Sequence, residues 1–305
     1  MRGFVAVTDR SWYEFLRSLE VLDEVNFWQP SGNTEFAAVD IGEPIIFKLH
    51  YPENQIVGAG FFTWFSILPS RMAWDAFQLK NGAPTYDEMR TRVERYRRAA
   101  SDPRAEYQIG CVLLRDVFFL PRDLWVRAPD DWQPNIVRGK TYDLSTGEGA
   151  RVWNDLMVRA PGQPQLSDVD VPPMFGPEVL ARRRLGQGTF RTLVVDAYDR
   201  RCAITAEKTL PVLDAAHIRP VASGGIHRIG NGLLLRSDLH TLFDQGYLTV
   251  SPDFRVRVSQ RLRTDFDNGE HYRAFDGTEL RLPNRPEFRP DPHQLEWHGD
   301  TVFKS

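Results

Sequence analysis

Hydrophobic and polar residues along the first half of the chain predict strands interrupted by short helices. The apolar run GFVAV predicts a first strand, and the apolar residues of RSWYEFLRSL share one face of a helix. Residues 43–50 and 55–68 are rich in β-branched and aromatic side chains. Because the turn-forming segment YPEN separates them, they predict a hairpin.

The remainder of this half continues the mixture of strands and helices. Thr85 and Glu88 form a capping-box pattern that predicts the start of a charged helix, and residues 107–120 predict a further strand. The segment EGARVWNDLMVRA predicts a last helix. Because strands and helices do not alternate in regular βα units, the pattern indicates an α+β fold with a mainly antiparallel curved sheet or small barrel.

A break in composition separates the two halves of the chain. Residues 159–177 contain five prolines and two glycines and show no apolar periodicity, which is typical of an interdomain linker. The 305 residues are therefore predicted to form two domains, 1–158 and 178–305.

The second half predicts a strand-strand-helix (ββα) order. An arginine-rich amphipathic helix over residues 182–201 comes first, and two short strands, CAIT and VLDAAHI, follow it. A glycine-rich loop then leads to a helix that begins at the cap residue Ser237.

Composition and charge narrow the class of protein. With 42% hydrophobic and 26% charged residues the chain is typical of a globular protein. No segment approaches the roughly 18 apolar residues of a membrane span, and the N-terminus lacks an export signal, so a cytoplasmic protein without membrane contact is expected. Cys111 and Cys202 form no CxxC pair, which argues against a disulfide framework or a four-cysteine zinc ribbon. The net charge of −3 means that nucleic-acid binding must rest on local clusters.

One region gathers histidine, asparagine and aspartate at spacings that suit a hydrolytic site. His217 lies at the end of a predicted strand, Asn231 follows a loop, and His240 lies on a helix. Asp244 comes four residues after His240 and faces the same side of that helix. These two side chains can therefore hold one divalent cation, Mg²⁺, Mn²⁺, Ni²⁺ or Zn²⁺.

Phosphodiester hydrolysis needs an activated water and positive charge at the scissile phosphate. In this set His217 is expected to be the general base, with a pKa near neutrality, while the cation neutralises the charge that develops on the phosphate. The amide of Asn231 both donates and accepts hydrogen bonds, so it is expected to pin the loop and the strand that carries His217.

The motifs AAHIRPVASGG and NGLLLRSDLHTLFD resemble the HNH endonuclease family, in particular its bacterial restriction-type branch. The resemblance covers about residues 180–305 and implies a ββα-metal nuclease domain. It also implies that the catalytic residues are His217, Asn231 and His240. The implied metal-binding pair is His240 with Asp244.

Two positions depart from the usual pattern of that family. Many members carry a further metal ligand directly before the base, where this chain has Ala216. Asp214 lies on the same strand face, so it either reaches the ion, directly or through water, or is structural. Cys202 stands where many relatives begin a zinc-binding CxxC, yet the partner position is Thr205, so a second zinc is not expected.

Arginine clusters beside the nuclease motifs are candidates for contacts with the DNA backbone. Arg255 and Arg257 share one face of a strand in the last predicted hairpin, with no acidic neighbour from residue 254 to 262. His227 in the glycine-rich loop is expected to be simply exposed, and His293 and His298 to be structural. The candidate backbone contacts are Arg182, Arg183, Arg184, Arg255 and Arg257.

The first half carries the landmarks TDRSWYEFL, VNFWQPSG and GAGFF. Through them it is similar to the PUA-like N-terminal domains of bacterial HNH nucleases, in the superfamily of the EVE, SRA and ASCH domains. The resemblance implies a pocket that holds a flipped, modified base by stacking and edge hydrogen bonds, although aromatic residues in a sheet are also typical of a core. Strand alternation predicts that Phe62 and Trp64 share a face. The expected pocket residues are Phe27, Trp28, Ser31 and Asn33.

Together these features predict a modification-dependent DNA endonuclease of the type IV-like restriction class, a defence enzyme that acts on double-stranded DNA with modified bases. Two alternatives remain: an HNH nickase that reads no modification, and a nucleic-acid-binding protein whose HNH domain is a metal-stabilised scaffold. The intact His217 favours the enzyme. Cutting both strands with one site per chain suggests a homodimer.

Overall fold

The computed structural model describes residues 1–33, 35–98, 102, 104–161 and 185–305. The chain divides into two compact units, Met1–Gly176 and Pro177–Ser305. Most of the expected linker 159–177 lies outside the described residues, so the boundaries 1–158 and 178–305 stay predictions. Among the residues that are described, no helix combines the length and apolar character needed to cross a bilayer.

The first unit is built on one mixed sheet. Its strands are β1 (Arg2–Thr8), β2 (Glu24–Gln29), β3 (Pro44–Leu49), β4 (Gln55–Pro69), β5 (Gln108–Phe119), β6 (Val126–Arg127) and β7 (Gly139–Asp143). Its helices are α1 (Arg10–Arg17), α2 (Ser70–Phe77), α3 (Tyr86–Arg97) and α4 (Gly147–Arg159). The strand order is β2-β5-β4-β3-β1-β7, with β6 paired to β4. All pairs are antiparallel except β1 with β3, so the predicted α+β fold with a mainly antiparallel sheet is confirmed.

The predicted hairpin forms as β3 and β4. Its turn closes where the Asn54 N–H donates to the carbonyl of His50 at 3.1 Å. Asn54 has a φ of 47°, a conformation that asparagine tolerates better than most residues. The predicted cap is also present, because the Thr85 hydroxyl accepts from the Glu88 N–H at 3.2 Å at the start of α3.

The prediction that Phe62 and Trp64 share a face is wrong. The register between β4 and β5 shifts between these residues, which face Leu114 and Leu113 respectively, so Thr63 is an extra residue on β4. A β-bulge of this kind interrupts the alternation of side chains along a strand. Phe62 therefore packs in one core with Leu114, and Trp64 packs against the core of Leu113 on the opposite face.

The second unit contains two small antiparallel sheets and several helices. Its strands are β8 (Leu213–His217), β9 (Gly232–Arg236), β10 (Leu248–Val250) and β11 (Val256–Val258). Its helices are α5 (Gln187–Ala197), α6 (Ser237–Asp244), α7 (Arg261–Phe266), α8 (Glu270–Arg273) and α9 (Pro292–Thr301). Strand β8 pairs with β9, and β10 pairs with β11 in the predicted hairpin.

The ββα order is confirmed, but CAIT is not one of its strands. This segment forms a turn in which the Cys202 Sγ accepts from the backbone N–H groups of Thr205 at 3.5 Å and Arg236 at 3.3 Å. The two strands are β8 and β9, and α6 follows β9 directly, with Arg236 rather than Ser237 at the N-cap. The buried Cys202 therefore ties a turn to the end of β9.

Candidate functional site

The ββα core fixes the positions of three predicted site residues. His217 ends β8 opposite Gly232 of β9, and Asp214 on the same strand lies opposite Leu235. Helix α6 follows β9 without a connecting loop and carries His240 in its first turn. Backbone hydrogen bonds between the strands therefore determine how the strand residues stand toward the helix.

Asn231 joins the two ends of the glycine-rich loop. Its side chain is buried, with 3% of the residue exposed. The Oδ1 accepts from the backbone N–H of Arg219 at 2.9 Å, and the Nδ2 donates to the carbonyls of Arg219 at 2.9 Å and Ile226 at 3.1 Å. The loop-pinning contact expected from the sequence is thus present, and it holds the segment that follows His217.

The imidazole of His217 is stacked on Phe190 of α5. The ring centroids are 4.2 Å apart and the planes differ by 14°. The pKa of His217 is lowered to about 4, mainly by burial and further by the charges of His227 and His240. The expected pKa near neutrality is therefore wrong for the protein alone, and the ring is neutral at pH 7.

His227 is not the exposed loop residue that the sequence predicts. It is half-buried, and its Nδ1 lies 2.9 Å from the Nε2 of His217. The loop turns back through Gly224, with a φ of 84°, and Gly225, where a Cβ would come within 1.9 Å of the Arg219 carbonyl oxygen. The loop has no periodicity that could place His227. The glycine pair is the sequence signal that the chain turns back toward the site here.

His240 lies between two carboxylates. Its Nδ1 is 3.4 Å from the Asp214 Oδ2, and its Nε2 is 3.3 Å from the Asp244 Oδ2. The hydrogen bond with His240 is the main cause that lowers the pKa of Asp214, whereas burial and repulsion by Asp214 raise the pKa of Asp244. Burial acts to lower the pKa of His240, but the hydrogen bond with Asp214 and the two nearby carboxylate charges outweigh it and raise that pKa.

This cluster fits a divalent cation in ligand type and charge. Imidazole and carboxylate groups are ligands for magnesium, manganese, nickel and zinc, and two carboxylates around one imidazole leave an excess of negative charge. Within the described part of the chain, no three His, Cys, Asp or Glu side chains already converge as a metal site. Rotation of these side chains would be needed to direct them at one ion.

The arginines predicted to contact DNA lie in different surroundings. Arg255 is exposed and pairs with Asp253 at 3.7 Å and with Glu279 at 3.0 Å, and the second is an acidic partner that the local sequence does not indicate. The other three predicted contacts lie outside the described residues, and they are Arg182, Arg183 and Arg184.

Arg257 is the better placed of the two strand arginines. Its guanidinium stands over the ring of Phe303 at 5.2 Å. It also lines a cavity of about 590 Å³ to which Arg261 and Arg273 contribute. Asp276 lines the same opening, and Arg261 and Arg273 pair with Asp265 and Glu270, so Arg257 is the arginine of this cavity best suited to an anionic ligand.

Arg191 is a further basic residue at the site that sequence reasoning did not single out. It follows Phe190 on α5, and its charge contributes, after the larger effect of His240, to the low pKa of Asp214. The buried Nε of Arg191 has no hydrogen-bond partner in the described structure. Its helix position, rather than any motif, brings it to the site.

His298 is structural, as expected. It is 2% exposed, and its ring stacks on Phe243 with centroids 3.7 Å apart. Its Nε2 donates to the carbonyl of Phe243 at 3.1 Å, and its Nδ1 lies 2.8 Å from the Thr249 hydroxyl. Burial lowers the pKa of His298 to about 4. The neutral ring therefore anchors α9 beneath the end of α6.

A cavity of about 680 Å³ opens in the first unit between β1 and β2, which are not neighbours in the sheet. Of the expected pocket residues, Phe27, Trp28 and Ser31 line it, whereas Asn33 does not. The backbone N–H of Asn33 instead donates to the Ser31 hydroxyl at 3.3 Å. The aromatic lining residues are Phe4, Trp12, Phe27, Trp28, Phe36 and Tyr96.

Polar groups fix this lining and add charge to it. The Trp28 Nε1–H donates to the carbonyl of Asn81 at 2.9 Å, which holds the indole in place. The Tyr96 hydroxyl donates to the carboxylate of Asp9. The cavity thus combines fixed aromatic rings with two acidic residues, Asp9 and Glu35, and its basic residues are His50, Arg92, Arg98 and Arg138.

Comparison with known proteins gives one family match and several similar structures. Residues 202–251 match the HNH endonuclease family. Similar solved structures include the ASCH protein of Zymomonas mobilis, with 11% identity and a TM-score of 0.34 over 52% of this chain and 96% of that one. The modification-dependent restriction endonuclease TagI has 14% identity and a TM-score of 0.28 over 97% of this chain and 81% of that one. The phosphorothioation-dependent type IV restriction endonuclease ScoMcrA has 13% identity and a TM-score of 0.19 over 77% of this chain and 45% of that one. A comparison with curated proteins gives no match.

The family match covers the segment that carries His217, Asn231 and His240. The HNH resemblance predicted for the second half is therefore confirmed. The second unit contains an HNH endonuclease domain, and the protein is a nuclease.

Proposed function

We propose that the protein is a modification-dependent DNA endonuclease in which His217 is the general base and the first unit holds the modified base. The position of His217 carries the proposal. It is a neutral imidazole at a fixed strand end, stacked on Phe190. The aromatic cavity between β1 and β2 supports the reader function of the first unit.

In this mechanism neutral His217 takes a proton from the water that attacks the scissile phosphate. A group with a pKa of about 4 is a weak base, but the negative charge of a bound phosphate acts to raise that pKa toward neutrality. Asp214, His240 and Asp244 would hold a divalent cation, Mg²⁺, Mn²⁺, Ni²⁺ or Zn²⁺, which supplies positive charge near the phosphate and leaving oxygen when bound. Asn231 keeps the strand end in place without contacting a reacting group.

Arginine side chains are proposed to bind the DNA backbone around this site. The guanidinium of Arg191, whose charge acts on Asp214, and the cavity lined by Arg257 are the proposed sites for phosphate oxygens. Arg255 and the triplet 182–184 complete the proposed set. Cleavage of both strands needs two nuclease sites, which a homodimer would provide.

The first unit is proposed to accept a base extruded from the duplex. Extrusion costs a few kcal/mol, and stacking on an aromatic residue such as Trp28 returns about 1–3 kcal/mol per base. Stacking alone does not distinguish bases, so edge contacts must do so. The Ser31 hydroxyl and the Asp9 carboxylate are the proposed contacts, because both line the cavity and can accept from an amino group of the base.

Cleavage is therefore expected to depend on a modified base. A panel of otherwise identical duplexes with unmodified, 5-methylcytosine, 5-hydroxymethylcytosine and other modified bases should show faster cleavage of at least one modified duplex. Because only the modified base is expected to be held in the pocket, Trp28→Ala should lower kcat/KM for the modified duplex by roughly 5- to 100-fold, the equivalent of one lost stacking contact, and leave kcat/KM for the unmodified duplex unchanged. The measurement is the ratio of kcat/KM for modified and unmodified duplexes in the presence of Mn²⁺.

Trp132→Ala is the matched control, because Trp132 is half-buried in the same unit but does not line the cavity. This variant should keep the parent's ratio. Equal cleavage of every duplex by the parent would contradict the reader function and favour an unselective HNH nickase. Absence of cleavage with every metal, despite DNA binding, would favour a metal-stabilised scaffold.

Metal binding is expected to depend on His240 and both neighbouring carboxylates. His240→Ala should weaken Mn²⁺ binding by more than about tenfold, and Asp244→Asn and Asp214→Asn should each weaken it by a smaller factor. Excess Mn²⁺ should partly restore cleavage by Asp244→Asn, because His240 and Asp214 remain. Calorimetric titration of the full chain with Mn²⁺ measures these affinities.

Asp253→Asn serves as the control, since this carboxylate lies in the exposed turn before β11. It should bind Mn²⁺ like the parent. If Asp214→Asn also binds like the parent, Asp214 only orients His240, and the ion is held by two protein ligands and water.

A further inference from the structure

His227 makes an edge contact with His217, the proposed general base. Its Nδ1 lies 2.9 Å from the Nε2 of His217, while the two ring centroids are 5.0 Å apart and the planes differ by 58°. The rings are therefore joined by a hydrogen bond and are not stacked. Phe190 packs on both rings, at 4.2 Å from His217 and 5.7 Å from His227.

The backbone around His227 is held from both sides. The carbonyl of Ile226 accepts from the Asn231 side chain at 3.1 Å, and the carbonyl of His227 accepts from the Leu185 N–H at 2.7 Å. The N–H of Arg228 donates to the Ile226 carbonyl at 2.8 Å. His227 thus stands on a fixed segment, although the sequence places it in a loop.

We propose that His227 is a positioning residue that fixes the tautomer of His217 and thereby selects the nitrogen that acts as base. This inference rests on the proposed function of His217. One of two facing ring nitrogens must carry the proton of their hydrogen bond. When the His217 Nε2 is the donor, its Nδ1 keeps the lone pair, and that Nδ1 has no hydrogen-bond partner among the described residues.

The proton balance follows from this arrangement. As the water oxygen bonds to phosphorus, one water O–H bond breaks and an N–H bond forms at the His217 Nδ1. The P–O bond to the leaving strand breaks, and the leaving oxygen takes a proton from solvent. His217 is then an imidazolium, and its Nε2–H bond to the Nδ1 of His227 becomes a charge-assisted hydrogen bond. The hydrogen bond with His227 therefore stabilises His217 most when His217 is protonated.

Two substitutions separate this role from simple packing. His227→Phe keeps an aromatic ring beside Phe190 but removes the acceptor. His227→Asn removes the ring but places an amide oxygen close to the position of Nδ1, where it can accept from His217. If His227 positions His217, His227→Asn should cleave DNA faster than His227→Phe. If His227 only packs, His227→Phe should be the faster variant.

The first test is steady-state cleavage by the full chain with Mn²⁺, using the duplex that the parent cuts fastest. His227→Phe should lower kcat by about 10- to 100-fold, the range found when the partner of a functional histidine is removed, with KM within about threefold. His227→Asn should recover kcat to within about fivefold of the parent. Phe and Asn substitutions of His293, which is 89% exposed, are the controls and should not alter kcat.

The second test reads the hydrogen bond without any cleavage. In ¹⁵N-histidine spectra of the full chain, the parent and His227→Asn should show a slowly exchanging Nε2–H proton, assigned by its loss in His217→Ala. His227→Phe should lack it. If the parent cuts no DNA but shows this proton, the positioning contact stands and the proposed function fails.

The inference is overturned by either of two kinetic results. A kcat of His227→Phe within about threefold of the parent would mean that the hydrogen bond is not used. A His227→Asn variant as slow as His227→Phe would mean that His227 acts in another way, such as contact with the DNA. Absence of the protected proton in the parent would overturn it as well.

Discussion

Replacing His217 with alanine is expected to slow DNA cleavage by about 10²- to 10⁴-fold, the range for loss of a general base. The side chain acts only in the chemical step and is no part of the proposed metal-binding cluster, so DNA affinity and Mn²⁺ affinity should stay near the parent values. Single-turnover cleavage at saturating Mn²⁺ measures the chemical step, and binding is measured on the same duplex with Ca²⁺.

The control for this substitution is His293→Ala, which removes an exposed histidine from the same unit. It should cleave like the parent. A His217→Ala variant that keeps activity within about tenfold of the parent would show that another group activates the water. A variant that loses DNA binding to the same extent as cleavage would assign His217 to substrate binding instead.

Asn231→Ala is expected to cause the largest loss of stability among the site variants. The substitution removes three hydrogen bonds and leaves the backbone N–H and carbonyl of Arg219 without their partner, whereas the Ile226 carbonyl keeps its bond from the Arg228 N–H. Two unpaired, partly buried backbone groups of this kind cost roughly 2–4 kcal/mol in total, or a decrease in Tm of roughly 10 °C for this unit. Cleavage should fall as well, because the loop no longer holds the strand end of His217. Thermal unfolding followed by circular dichroism and single-turnover cleavage measure the two effects.

Two further variants sharpen the interpretation. Asn284→Ala removes an exposed asparagine with a single 3.4 Å contact to Asp199 and should leave Tm nearly unchanged. Asn231→Asp keeps the acceptor for the Arg219 N–H but loses both donors, so it should also be less stable than the parent. A slow Asn231→Ala variant with the Tm of the parent would place Asn231 among the reacting groups.

The nuclease site was largely predictable because its spacing is local. Asn231 and His240 are separated by β9 and the first turn of α6, which follow each other without a loop. A strand and a helix of fixed lengths have fixed dimensions. The nine-residue interval therefore determines a distance, and the motif can be read directly from the sequence.

Features that depend on distant partners were not predictable in the same way. Strand alternation misplaced Trp64 because the bulge at Thr63 arises from the register with β5, about fifty residues away. CAIT has the composition of a strand, but contacts of Cys202 with Thr205 and Arg236 close it into a turn. His227 reaches His217 only through the folded loop.

The pocket of the first unit shows the same division. Phe27, Trp28 and Ser31 come from one short segment and were identified together. The opposite side is provided by residues such as Phe4 on β1 and Tyr96 on α3, and no periodicity links these positions to β2. Only the folded sheet and the helices packed on it bring these residues to one cavity.

The two stacked histidines set a limit on how the nuclease can be engineered. Phe190, which supports His217, precedes the family-matched segment 202–251, and His298, which supports Phe243, follows it. A fragment limited to the matched residues would leave the His217 ring without Phe190 and the Phe243 ring without His298. A transplantable nuclease cassette must therefore extend from α5 through α9, more than twice the length of its recognisable signature.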